Sequence, residues 1–352
     1  MKVSATEETL KPSDVDTKIG EHRKAWAEVE EKKRSCLKQI LRPILVCMAL
    51  SGCYNFSDLN YIAKNEDKKV TAKYVFSVVY RIMVLLVVIA VAAKLTVTTI
   101  NKPEYKLMGI LCIAWTLMLL SFMILSFKQH SRKFGHYEQA FKLWEEKIVP
   151  AGKELGIPCP VARMKHRTLV VSFVAVVFVV LNTVGVGIQM MLVPGDFFVY
   201  PFEDTAWSHA EVSVAYFLAS AVWLVPQANA VVVCSSVTYV FKSFNKFLEE
   251  NICQKSKPFP PNFKKMRHLH LNLCKLVEEL DNDMGWFFAA DFVFSIFLTL
   301  FAVYQMIKTS LDTVSLVLYG FWFLAGIVIL IVTAAFSAQT NVAVRLRRLC
   351  YM

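Results

Sequence analysis

The 352-residue sequence is short of charge: Asp, Glu, Lys and Arg make up 19% of it, against about 25% in an average soluble domain. It has no nucleotide-binding P-loop and no kinase-type glycine loop, so neither an ATP-driven motor nor nucleotide chemistry is expected. None of its nine cysteines falls in a segment read below as extracellular, which rules out an extracellular disulfide framework. They form no C-x-x-C pair, and no zinc site is expected. No catalytic constellation and no cofactor motif stands out, so the expectation is a non-enzyme without a cofactor. A secretory leader is not expected either, because Met1–Ser35 is polar and charged throughout.

Long apolar runs fill the space these absences leave. Hydrophobic residues make up 56% of the chain, and its mean hydropathy is +0.45. Six stretches reach the roughly 20 residues needed to cross a bilayer core: Tyr74–Ile100, Leu107–Phe127, Thr168–Val193, Val212–Phe241, Trp286–Met306 and Val314–Phe336. The only charges inside them are Arg81, Lys94 and Asp291. Arg81 and Lys94 lie near opposite ends of the first span, where long basic side chains are expected to snorkel to the headgroups. A shorter apolar stretch, Ile40–Tyr54, contains Pro43 and runs into Asn55 and Asp58. Its length suits a helix packed on other helices or lying in the interface better than a span. The fold class predicted is therefore an all-α polytopic helical bundle with six transmembrane helices.

Basic residues set the orientation. Of the 39 Lys and Arg, 34 collect on one side of the spans and 3 on the other, with Arg81 and Lys94 inside the first span. Positive residues near spans stay in the cytosol, so both termini are predicted to be cytosolic. The net charge of +11 is thus a membrane-orientation signature, and nucleic acid is not needed to explain it. The predicted domains are a cytosolic region 1–73 with the short helix 40–54, a transmembrane bundle 74–336, and a cytosolic tail 337–352. Cytosolic helix extensions are expected at 128–167 and 242–285. In them Phe134, Tyr137, Phe141, Trp144 and Ile148, and again Leu269, Leu273, Leu276 and Leu280, recur at helical spacing and need cover. Either packing within one chain or a joint between subunits would supply it. The run Lys257-Pro258-Phe259-Pro260-Pro261 ends any helix that continues the fourth span.

The outer segment Pro194–Glu211 has no Lys or Arg. Its Asp196, Glu203, Asp204 and Glu211 alternate with Phe197, Phe198, Tyr200, Phe202 and Trp207. It reads either as an exposed loop with an interfacial aromatic belt or as an acidic, aromatic vestibule. The outer halves of spans two to six carry Gln189, Tyr216, Trp223, Tyr304, Tyr319 and Trp322. Aromatic walls with a few polar groups are how small-molecule pockets are built, and these six residues are the predicted ligand site.

Several membrane-protein classes are excluded. A G-protein-coupled receptor has its N-terminus outside and carries Asp-Arg-Tyr and Asn-Pro-x-x-Tyr signatures that do not occur here. A voltage sensor needs a basic residue every third position, whereas Val212–Phe241 has no charge. No Thr-Val-Gly-Tyr-Gly filter is present. A secondary transporter stays open, with Pro226 expected to break the fourth span beside Gln227 and Asn229, and Asp291 within the fifth; no internal repeat supports it. Asp291 reads either as a transport residue or as a buried partner of a nearby polar group.

The run from Leu271 to Gly285, with Leu273, Leu276 and Leu280 followed by Asp281 and Gly285, resembles the stretch before the fifth helix of arthropod gustatory receptors. That family places an Asn four residues ahead of the Gly; here Asp281 takes its place. Phe294, Phe297, Phe301 and Tyr304 are similar to the family's fifth helix, and Leu41-Arg42-Pro43-Ile44-Leu45 through Gly52 resembles its opening before helix one. The resemblance covers residues 40–340. It implies a subunit of a ligand-gated cation channel in the plasma membrane, responding to small-molecule tastants within a homo- or hetero-tetramer of related receptors. The family's Thr-Tyr, five residues, Gln-Phe motif of a seventh, pore-lining helix is missing. Thr238-Tyr239 is followed by Asn245-Lys246 at the corresponding place, and in the fourth span. The resemblance therefore implies a chain that ends before its pore helix, truncated or divergent, and that does not conduct alone. A secondary transporter and a non-conducting accessory membrane protein are the alternatives.

Overall fold

Apolar runs of 20 to 30 residues have one way to bury their backbone polar groups in lipid, which is to coil into helices. The structure, a computed structural model, describes residues 37–56, 59, 72–102, 106–129, 136–192, 197–203, 205–250, 262–308 and 313–345. Among the described residues it is all-helical. The helices are α1 (Leu37–Leu50), α2 (Ala72–Asn101), α3 (Lys106–Gln129), α4 (His136–Leu143), α5 (Val149–Glu154), α6 (Val161–Leu192), α7 (Ala206–Leu248), α8 (Phe263–Lys308) and α9 (Thr313–Arg345); a π-helical turn, Trp144–Ile148, joins α4 to α5. Six of them, α2, α3, α6, α7, α8 and α9, are long and apolar enough to cross a membrane.

The central post is α7. Most of its apolar window is buried inside the protein (78%), whereas α2 and α6 leave nearly three quarters of theirs on the outside. The other helices therefore face lipid on one side and α7, directly or through a neighbour, on the other. Pro226 lies inside α7 and does not break it: the helix is continuous over 43 residues. Proline deletes one hydrogen bond of the ladder, and tight burial among neighbouring helices holds the rest. Close helix crossings rely on small residues. A side chain at Gly109 of α3 would overlap Thr99 of α2, and one at Gly326 of α9 would press on Thr299 of α8.

The short helix α1 packs against α6 and α7, burying Ile40, Leu41, Ile44, Leu45 and Met48. Its C-terminal end explains why Arg81 sits in the first span. Gly52 turns the chain with φ +74°. The helix end leaves carbonyls without intrahelical donors. Tyr80 Oη donates to Leu50 O at 2.5 Å and Arg81 Nε to Gly52 O at 3.2 Å. The guanidinium also lies 3.9 Å from the centre of the Phe127 ring. Arg81 is buried (4% exposed), so the expected snorkelling does not occur; the negative end of α1 draws the cation inward.

The extensions at the predicted cytosolic end find their cover within the chain. Phe141, Trp144 and Ile148 are buried, as are Leu269, Leu273 and Leu276, and α4 packs directly on α8. Phe134, the side chain of Tyr137, the proline-rich run at 257–261, the region 1–36 and most of the tail lie outside the described residues or side chains.

Candidate functional site

Each spanning helix turns one stripe of side chains inward, and near the segment 197–203 five of these stripes converge. From α3 come Leu111, Cys112 and Trp115, one turn apart, and from α6 Asn182 and Val186. Two turns of α7 supply Tyr216 and Trp223, α8 adds Phe294 and Leu298, and α9 adds Trp322. Phe198 closes the cavity from the segment itself. Together they enclose a cavity of about 40 Å³, more than the ~10–15 Å³ that a single water needs.

The walls are a box of aromatic rings in stacked and edge-to-face contact. Trp115 stacks on Tyr216 at 6.0 Å and meets Trp223 edge-on at 6.3 Å. Trp223 meets Phe294 at 6.0 Å, and Phe198 stands edge-on to both Tyr216 (5.4 Å) and Trp322 (6.4 Å). A short polar chain crosses one wall: Trp322 Nε1 donates to Asn182 Oδ1 at 2.9 Å, and Asn182 Nδ2 donates to Ser220 Oγ at 2.7 Å. This locks the Trp322 ring while keeping the amide satisfied in an apolar setting.

Of the six predicted site residues, the structure brings Tyr216, Trp223 and Trp322 onto the cavity wall. Tyr319 stands behind it, edge-on to Trp322 at 5.6 Å and to Phe301 at 6.1 Å. Gln189 is buried but off the lining, and its Oε1 has no partner. Tyr304 is 45% exposed and faces outward. The inward stripe of α8 runs Phe294, Leu298, Phe301, Gln305, and Tyr304 falls one position off it. The predicted ligand set left out Trp115, Asn182, Phe294 and Phe198. The first two carried a signal: Trp115 is the one Trp of the second span and Asn182 the one Asn of the third. Phe198 stood out only as one aromatic of the outer segment, and it takes the folded segment to bring it to the wall.

The segment is neither a plain exposed loop nor an open vestibule. Phe197, Phe198 and Val199 are buried, while Phe202 and Trp207 are exposed. Lys94 holds it: its Nζ donates to Phe198 O and lies 5.8 Å from the Tyr216 ring centre. Thr98, one turn on, donates to Tyr200 O at 3.1 Å. The second predicted snorkelling side chain is therefore also turned inward, drawn by a backbone carbonyl of the segment. Lys94→Met, which keeps the stem and removes the ammonium, is expected to raise amide exchange of residues 197–203 about tenfold, the worth of one charge-assisted hydrogen bond. Exchange unchanged by the substitution would show that the clamp does not hold the segment.

Deeper in the bundle, Asp291 of α8 is buried between α7 and α9. Gln227 Nε2 donates to its Oδ1, and Thr333 Oγ1 donates to Oδ2 at 3.4 Å. Nearer the base, Cys274 Sγ and His270 Nε2 lie 3.3 Å apart at i, i+4 spacing, a pairing overlooked in the sequence. No group of three metal-ligating side chains occurs among the described residues.

No protein-family model and no curated protein matches the sequence. Solved structures do. The insect olfactory receptor OR5 from Machilis hrabei superposes with a TM-score of 0.67 over 88% of this chain and 82% of that chain, at 17% identity. The fold is that of an insect olfactory receptor. The same receptor in complex with eugenol matches with a TM-score of 0.65 over the same shares of each chain, also at 17% identity. At this identity the likeness is one of fold. The superposed 88% of this chain thus shares its overall helical arrangement with that receptor.

Proposed function

We propose that the chain is a chemosensory receptor, a subunit of a ligand-gated cation channel that recognises small apolar molecules in the aromatic cavity. The observation that carries this reading is the cavity itself: five helices and a clamped segment converge on rings with few polar groups, the composition of a small-molecule site. The insect olfactory receptor fold supports the receptor class, and the matching receptor in complex with eugenol is one that takes a small aromatic ligand. The run from Leu271 to Gly285 and the Pro43 opening support the gustatory branch, with a tastant as ligand and a tetramer of related receptors as the assembly. The charge asymmetry supports both termini in the cytosol, and the receptor class supports a place in the plasma membrane.

The transporter reading loses one of its supports, since α7 runs unbroken through Pro226 and the carboxylate of Asp291 already has two partners. The test is whole-cell recording during application of small aromatic compounds, on cells expressing this chain with and without a related receptor. The expected result is a ligand-evoked cation current when the related receptor is present. The six spans alone contain no filter-like loop or charged ring, so little current is expected from them. Uptake of a compound without any current would overturn the channel reading in favour of transport.

A further inference from the structure

The chemistry of the cavity wall says which small molecules it suits, an inference that rests on the ligand-site reading above. Two of its side chains are hydrogen-bond donors with nothing to donate to. The indole Nε1 atoms of Trp115 and Trp223 are buried and have no hydrogen-bond partner, with the side chains 8% and 3% exposed. Both indoles line the cavity, their rings 6.3 Å apart and nearly perpendicular. Indole N–H is a donor only, so no rearrangement of its own proton can satisfy it. The remaining indole of the wall shows the ordinary outcome: Trp322 spends its N–H on Asn182, whose amide is in turn engaged with Ser220. Buried donors are nearly always paired, and leaving one unpaired costs free energy that a ligand can return.

We propose that the cavity selects small uncharged molecules carrying a hydrogen-bond acceptor, a carbonyl or ether oxygen beside an apolar or aromatic body, and that Trp115 and Trp223 are the residues that read that acceptor. A carboxylate is disfavoured, because no Lys or Arg lines the wall and the Lys94 ammonium beside it is already engaged with Phe198 O, so an ion there would be desolvated without a counter-charge of its own. A ligand that only donates meets two further donors and gains nothing from them. Hydrocarbons of the same shape fill the box but leave both N–H groups unsatisfied. Sites built to pair with a polar ligand group discriminate against the analogue lacking it more sharply than apolar pockets discriminate by size.

The test compares two probes of near-identical shape, acetophenone and α-methylstyrene, whose C=O and C=CH₂ groups differ in accepting a hydrogen bond. Calorimetric titration of the purified full chain in lipid nanodiscs is expected to show acetophenone binding about tenfold more tightly, one hydrogen bond's worth. Trp115→Phe and Trp223→Phe keep a ring and delete the donor, and the double variant is expected to bring the ratio of the two affinities to about one. Equal binding of both probes by the unaltered protein would overturn the acceptor inference and leave the ligand site standing. A preference that survives in the double variant would overturn the assignment to these indoles. If neither probe binds, the ligand-site reading fails and this inference with it.

Discussion

Val186→Phe is expected to abolish small-molecule binding while the bundle still folds. Val186 lies on α6 at the cavity wall and is 1% exposed, so the added ring has only the cavity to enter. A filled cavity of about 40 Å³ leaves no space for a ligand, and affinity should fall at least ~100-fold, ~2.7 kcal/mol. Overpacking of a tight core costs about 1–3 kcal/mol, so the thermal midpoint in detergent should drop modestly or hold. Val186→Ala, which enlarges the same space, separates blocking from general damage: it should retain binding and shift preference towards larger ligands. Ligand affinity unchanged by Val186→Phe would place the binding site elsewhere.

The second large effect is expected at the polar contact beneath the cavity. Gln227→Leu removes the amide that donates to Asp291 Oδ1 and leaves the carboxyl group with Thr333 alone. Removing one partner of a buried polar pair costs about 1–3 kcal/mol, because the group left behind stays desolvated. Unfolding in detergent should register this loss. Asp291→Asn, which keeps the shape and can still pair, should cost less than Gln227→Leu. The double variant Gln227→Leu with Asp291→Leu should regain most of the lost stability, since it leaves no orphan. If Gln227→Leu is as stable as the parent, the pair is not a structural tie between α7 and α8, and the transport reading of Asp291 regains ground.

Much of this architecture was legible in one dimension. Hydropathy alone located every long helix, because lipid demands about 20 apolar residues and the chain has six such runs. At α7 it placed the start late: the helix begins at Ala206, ahead of the apolar run Val212–Phe241, while its end at Leu248 falls in the extension expected from 242 onward, because a helix need not stop where the membrane does. The leucines at 269, 273 and 276 announced a buried face, and the fold supplies its cover within the same chain. The misreadings have a common cause. Snorkelling of Arg81 and Lys94 was inferred from depth in the span, but a buried carbonyl without a donor competes with the headgroups, and neither Gly52 O nor Phe198 O is visible before the chain folds. Likewise a break at Pro226 rests on local grounds, whereas the burial of α7 all round that residue keeps the helix continuous. At the site, rings on the helices could be guessed from position. Tyr304 missed the inward stripe by one residue, and Phe198 arrives from a segment whose path only tertiary structure determines.

The continuity of α7 also sets the mechanics of the molecule. At ~1.5 Å per residue its 43 residues make a rod of about 65 Å, twice the thickness of a bilayer core. Its upper half carries Tyr216 and Trp223 at the cavity, its middle carries Gln227, and its lower end carries Tyr239, whose hydroxyl accepts from Arg167 at 3.0 Å, and Phe244, stacked on His270 at 6.4 Å. Gln227, whose amide donates to Asp291, sits at the midpoint of this rod. A tilt of about 3° about its midpoint would carry each tip by roughly 1.7 Å, using the helical rise to set the arm length. That displacement is as large as the helix shifts by which packed proteins switch state.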